Sequence, residues 1–297
     1  MHDYLIKAYA YDGTVRIYSA VTTKLVEESR QIHDSWPAAT AALGRVLTAT
    51  VIMGAMYKED QTISVQIDGG GPAGKMIATA NTQGDVRGFI ANPQVHASTN
   101  DDKLAVGYVV GNSGFIHVTK DLKIRDTFTS SAELQTGEIA DDFTYYFAKS
   151  EQIPSSVGLG VLVNDDNSVL ASGGFILQIM PGCKTETLSI IESNITKMKP
   201  VSELILNGYT PEQVVDVLTN GNHKIIQKLD LRYQCDCSKE RFAKGILSLG
   251  SEEIQDMINN HQDIETTCQF CGRRYNFSIS ELTSLQNETH DSDKIKS

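Results

Sequence analysis

Basic residues are in short supply. Lys and Arg number 26 against 37 Asp and Glu, a formal net charge of −11, so the molecule as a whole repels phosphate backbones and non-specific nucleic-acid binding is disfavoured unless a local basic patch overrides this. Residues 232–297 offer no local exception, with eight Lys/Arg and eleven Asp/Glu, or 8 − 11 = −3. The opening MHDYLIKAYAYDG lacks a basic stretch followed by an apolar one, so no signal peptide is expected. Long uninterrupted apolar runs are missing too. The most apolar segment, 37–56, carries Arg45 near its centre together with two glycines and several threonines. A central Arg costs about 2.5–3.5 kcal/mol on membrane-insertion scales, so this segment is expected to be a buried helix rather than a membrane span.

The usual catalytic patterns are missing as well. None of the seven histidines (2, 33, 96, 117, 223, 261 and 290) falls in an HxxxH or HxH spacing, and no Ser/His/Asp set or carboxylate pair has a spacing that points to catalysis. GGGPAGKM (69–76) approaches the phosphate-cradling pattern, but Met76 stands where a Mg²⁺-binding hydroxyl is needed, Pro72 interrupts the loop, and no parallel βαβ pattern surrounds it. It reads as a glycine-rich hairpin turn. GYVVGNSG (107–114) reads as a loop between strands.

What is present is an ordinary globular composition, 40% hydrophobic and 21% charged over 297 residues, enough for two or three domains. Asp12-Gly13 separates two strand-like runs within 4–20, a strong hairpin signal. A polar amphipathic helix over about 22–35 and the apolar helix at 38–56 follow, then strand-like runs at 62–67, 75–80 and 86–91. LAVGYVV (104–110), GFIHVTK and KIRDTFTS are further strand candidates, and 138–152 puts Ile139, Phe143, Tyr146 and Phe147 on one helical face. Residues 155–180 read as one more long hairpin. The fold class is α+β, with a strand-rich core domain at 1–182 around one buried helix. Residues 183–231 change to short amphipathic helices, too short to hold in water without a platform. Residues 232–297 form a third, cysteine-bearing domain, with helices expected to start at N-capping Ser238 and Ser251.

Four of the five cysteines fall inside 37 residues, as Cys235-Asp236-Cys237 and Cys268-Gln269-Phe270-Cys271. Four thiolates brought together suit a tetrahedral Zn²⁺ site. The single residue between Cys235 and Cys237 is tighter than the usual two to four, and suits either a zinc ligand pair or a disulfide. A thioredoxin-like site is disfavoured because CxxC is followed by GRRYNFS, a turn and strand-like run, not a helix. His261 and His290 are the fallback ligands; Cys183 stands alone and is assigned no role. Zinc on four thiolates contributes about 10–16 kcal/mol to folding a small module, whereas a disulfide closing a loop of three or four residues returns only about 2 kcal/mol. Loss of zinc on oxidation should therefore unfold this domain, and zinc-bound thiolates are the form oxidants attack.

Motifs along nearly the whole chain resemble those of the bacterial redox-regulated heat-shock chaperone family, the 33 kDa chaperonins. They are QIDGGGPAGKM (66–76), ANPQVH (91–96), VTKDL (118–122), DDFTYYFAKSEQIPSSVGLGVLV (141–163), GGFILQIMPG (173–182), CDCSKERF (235–242) and CQFCG (268–272). The resemblance implies an ATP-independent holdase, not an enzyme, and the missing export signal with paired thiols points to the reducing cytosol. The resemblance also implies one zinc per chain on Cys235, Cys237, Cys268 and Cys271, released when oxidation forms the disulfides Cys235–Cys237 and Cys268–Cys271. By the same resemblance the cysteine domain and helical linker then unfold, and a dimeric active form binds unfolding client proteins, with no nucleic-acid or membrane partner. The alternative is a constitutively folded zinc-binding interaction module without redox switching.

Overall fold

A computed structural model describes residues 2–95, 97–98, 103–123, 126–260 and 263–294, with side chains described as far as Gln286. The chain forms two compact units, Met1–Gln234 and Cys235–Ser297.

The first unit opens with the expected hairpin, β1 (Tyr4–Ala10) and β2 (Val15–Val21), in register from Tyr4↔Val21 to Ala10↔Val15. Tyr11, Asp12 and Gly13 all take positive φ in its turn, where Thr14 Oγ1 donates to Tyr11 O at 2.7 Å. Helix α1 (Thr23–His33) is tied back to the chain start by Asp3, whose buried Oδ2 accepts the Leu25 N–H at 2.7 Å. Helix α2 (Pro37–Gly54) starts with Pro at its first position, which lacks only an N–H that would have no helical partner anyway. From Ala38 to Gly54 every residue except Arg45 is buried. Among the described residues α2 alone has the length and apolarity to cross a membrane, and 89% of it is buried inside the protein. Arg45 reaches Glu138, donating through Nη1 to its carboxylate at 2.7 Å and its carbonyl at 3.0 Å.

Strands β3 (Thr62–Asp68), β4 (Met76–Asn81) and β5 (Asp85–Ile90) follow where period-2 patterning puts them. The glycine-rich stretch is the β3–β4 turn, with Gly70 and Gly74 at positive φ. Its amides are engaged: Gly71 and Ala73 donate to the carbonyls of Val110 and Val109 at 3.0 and 2.8 Å. Those carbonyls belong to a short helix, α3 (Val106–Val110), where residues 104–110 were expected to be strand. Valine and tyrosine favour strands, but here tertiary hydrogen bonding overrides propensity. The Gly107 N–H donates to Glu138 Oε1 at 2.9 Å, which anchors the turn as helix.

The unit continues through β6 (Phe115–Asp121), β7 (Phe128–Glu133), α4 (Ala140–Tyr146) with a π-turn over Phe147–Glu151, β8 (Ser155–Val163) and β9 (Val169–Ile179). Ile139, Phe143, Tyr146 and Phe147 are all buried, as the helical spacing required. Helices α5 (Thr185–Lys197), α6 (Val201–Leu206) and α7 (Pro211–Thr219) lie inside the stretch expected to be helical. Strands β10 (His223–Asp230) and β11 (Arg232–Tyr233), which no pattern announced, close the unit. The sheets run β10-β1-β2-β9-β8 and β11-β5-β4-β3-β6-β7, antiparallel throughout except for β11 beside β5.

Helix α2 touches β3, β4 and β5 of the larger sheet and β8 and β9 of the smaller one, which is why it is apolar all round. Strands β1, β2 and β9 of the smaller sheet are largely buried on both faces. Leu5, Tyr18 and Ala20 belong to the α2 core, while Ile6, Ala8, Val15 and Ile17 belong to a second core with Ile191, Leu204, Val214, Val215 and Leu218 of α5–α7. This sheet is the platform the short helices need. At Gly160 a Cβ would lie 2.8 Å from the Ser202 backbone nitrogen, so the glycine is what lets α6 sit this close to β8.

The second unit holds α8 (Lys239–Leu247), α9 (Ser251–Asn259), the hairpin β12 (Ile264–Thr267) and β13 (Arg274–Phe277), and α10 (Ile279–Lys294). Ser238 caps α8 as expected, its hydroxyl accepting the Arg241 N–H at 3.3 Å. Ser251 does not cap α9. The cap is Gly250 at φ 97°, because the chain needs a left-handed residue to leave α8. Among the described residues the apolar centre of this unit is small: Ile246, Ile254, Phe277 and Leu282 are its buried members.

Candidate metal centre

The two cysteine pairs reach one point by different local means. Cys235 and Cys237 lie in the non-helical run that ends at the Ser238 cap. Cys268 and Cys271 lie in the turn of the β12–β13 hairpin, closed by Cys268 N–H to Arg273 O at 2.9 Å and Gly272 N–H to Cys268 O at 2.8 Å. Gly272, at φ 69°, permits that reversal. The turn aims backbone amides at sulfur, those of Phe270 and Cys271 at Cys268 and that of Arg273 at Cys271.

All four Sγ atoms lie within 4.8 Å of one another. Cys235 and Cys268 are 3.8 Å apart, and Cys237 and Cys271 are 3.3 Å apart. A tetrahedral zinc with Zn–S bonds of about 2.3 Å has an S···S edge of about 3.8 Å. The separations lie around that edge and exceed the roughly 2.05 Å of a disulfide, so the four are free thiols. Among the described residues this is the one cluster of three or more Cys, His, Asp or Glu that could hold a metal ion. Burial raises the Cys268 thiol, and burial followed by the neighbouring thiols pushes Cys271 up to about 12. Four thiols this close resist ionising together on their own; a divalent cation reverses that balance, so the donor set fits a soft metal.

The surrounding side chains include groups that spacing did not reveal. The Tyr275 hydroxyl on β13 lies 2.9 Å from Cys237 O and 3.2 Å from Cys237 Sγ, and its ring packs against Phe242 with centroids 5.0 Å apart. Arg241 pairs with Asp236 at 2.6 Å. Of the fallback ligands, His261 and the His290 side chain lie outside the described residues. Cys183 belongs to the first unit, half-buried against the second core with its sulfur 3.8 Å from Lys184 O.

The family model described as "Hsp33 protein" matches residues 3–278. The chain belongs to the Hsp33 family. It is 49% identical over 288 residues to the 33 kDa chaperonin of Bacillus subtilis strain 168, covering 97% of this chain and 99% of that protein. The 33 kDa chaperonin of Staphylococcus aureus strain Newman is 48% identical over 286 residues, covering 96% and 98% respectively. The crystal structure of the Hsp33 homologue from Thermotoga maritima superposes with a TM-score of 0.90 at 32% identity, covering 98% of this chain and all of that one. The Hsp33 resemblance and the α+β class read from the sequence both hold, and the family's proteins are molecular chaperones rather than enzymes.

Proposed function

We propose that this Hsp33-family chaperone is a redox-switched, ATP-independent holdase of the cytoplasm. Cys235, Cys237, Cys268 and Cys271 hold one zinc ion in the reduced form. Oxidation to Cys235–Cys237 and Cys268–Cys271 disulfides releases it. The observation that carries the reading is the meeting of four sulfurs within 4.8 Å of one another in a unit whose apolar centre is small. Zinc supplies such a unit with about 10–16 kcal/mol of folding free energy, and local disulfides replace little of it.

Release of the switch then frees the helical linker, residues 183–231, from the core domain, residues 1–182. A sheet face bearing Ile6, Val15 and Ile17 is what α5–α7 cover, and its exposure offers unfolding clients an apolar surface. The active form is a homodimer, and neither nucleic acid nor membrane is a partner. The constitutively folded zinc module is the competing reading. Treating the reduced protein with peroxide at raised temperature separates the two, with zinc release and the aggregation of an unrelated unfolding client followed together. Zinc loss with suppressed aggregation is expected; retained zinc, or release without suppression, would sink the switch.

A further inference from the structure

Cys268 and Cys271 receive backbone amides, fixed by the hairpin turn. Cys237 has a side-chain donor, the Tyr275 hydroxyl, at 3.2 Å from its sulfur. We propose that Tyr275 is a positioning residue that shields Cys237 from oxidants and so sets how readily the CxC half of the switch opens. This rests on the redox-switch reading above.

The geometry gives the hydroxyl two acceptors and one proton. Cys237 O lies 2.9 Å away and Cys237 Sγ 3.2 Å away. A neutral thiol is a weak acceptor, so the proton then goes to the carbonyl; a thiolate carries full charge and draws it to sulfur. Arg273 stands beside the same hydroxyl and donates through Nη1 to Cys237 O at 3.5 Å. The guanidinium both polarises the hydroxyl and competes for the carbonyl, and each effect favours donation to sulfur. Tyr275 is held in place by its ring contact with Phe242 and by the β12–β13 register, Thr266↔Tyr275.

A hydrogen bond to a thiolate withdraws charge from the lone pair that attacks the oxidant, and thiolate nucleophilicity follows basicity with a slope of about 0.4–0.5. The affected step is attack of the Cys237 thiolate on hydrogen peroxide. An S–O bond forms, the O–O bond breaks, and hydroxide leaves to be protonated to water. The resulting sulfenic acid is attacked by the Cys235 thiolate; the S–S bond forms and the second oxygen leaves as hydroxide, also protonated to water. Two thiols are oxidised by two electrons and one peroxide is reduced to two waters.

Tyr275→Phe keeps the ring and removes the donor. Site-resolved alkylation and mass spectrometry after peroxide pulses should show Cys237 oxidised about three- to tenfold faster in the full-length variant, with the rates of Cys268 and Cys271 unchanged. Cobalt-substituted wild type and variant, both reduced, give a readout independent of oxidation. Loss of the sulfur hydrogen bond should move the thiolate-to-cobalt charge-transfer band to longer wavelength at unchanged metal stoichiometry. Phe242→Leu is the packing control: it loosens the ring but keeps the hydroxyl, and should accelerate all four cysteines together or none. Equal acceleration of all four in Tyr275→Phe, or an unmoved cobalt band, would overturn the positioning role. A wild-type protein in which peroxide oxidises none of the four cysteines overturns the switch reading and this proposal together.

Discussion

The first unit is held by apolar layers and the second is not. Around α2, dozens of side chains are buried between two sheets, and a second core lies under α5–α7. Among the described residues the cysteine unit has four buried members in its apolar core and four sulfurs. A domain of that size rarely folds on its core alone, and metals are the usual supplement. The lesson is one of reversibility. Packing spread over a large core cannot be withdrawn by a chemical signal, whereas stability concentrated in one set of thiolates can.

The largest effect that would break this contrast is metal removal. Stripping the reduced protein with a chelator should cost the second unit on the order of 10 kcal/mol, unfolding it while the core domain of the first stays intact. Amide hydrogen exchange should then show protection lost over α8–α10 and kept over β1, β2 and α2. Protection retained in the cysteine unit after chelation would place its stability in packing after all. Next in size is a truncation beneath the linker. Leu218 on α7 is fully buried in the second core, and Leu218→Ala should destabilise that seat by about 2–5 kcal/mol. Denaturant unfolding should report the loss at unchanged zinc content, and the proposed function adds client binding without oxidant. A parallel fall in zinc affinity would show that the two units do not hold their stability separately.

How much of this was legible in the sequence depended on whether the signal was local. The Asp12-Gly13 hairpin, the apolar α2 and the paired cysteines announce themselves because turn chemistry, all-round apolarity and ligand spacing are written in neighbouring residues. Residues 104–110 misled because valine and tyrosine favour strands, and the groups that hold α3 as helix, the amides of Gly71 and Ala73 and the Glu138 carboxylate, are distant in sequence. Strand β10 was silent for a related reason. It is an edge strand with most side chains exposed, including Ile225 and Ile226, so it lacks the alternation that marks a half-buried strand. The same limit applied at the candidate site. Spacing brought out the four cysteines, but Tyr275 became visible only once the β12–β13 register carried its hydroxyl to Cys237.

The smallest effect concerns charge, and it has opposite signs in the two units. Asp3 lies in the first, buried against the start of α1, and desolvation raises its carboxyl above the ordinary 3.8 despite the Leu25 amide. The native state therefore holds this proton at pH values where the unfolded chain has released it. That contribution to stability is fully present below pH 3.8 and is lost as pH climbs through the raised folded value. In the second unit the sign reverses. Glu281 is pushed down to about 2, first by the Lys239 ammonium 2.5 Å away and then by the Ser278 amide. Its contribution is present above 4.5 and disappears as acid approaches the lower value. Asp3→Asn keeps an oxygen acceptor for the Leu25 amide and removes the titration. Urea unfolding followed by Trp36, the single tryptophan and a first-unit probe, should show the variant gaining on the wild type as pH rises above 3.8 and then levelling off. A constant difference across that range would mean that the buried carboxyl does not titrate on unfolding, and that the first unit owes its pH response to other groups.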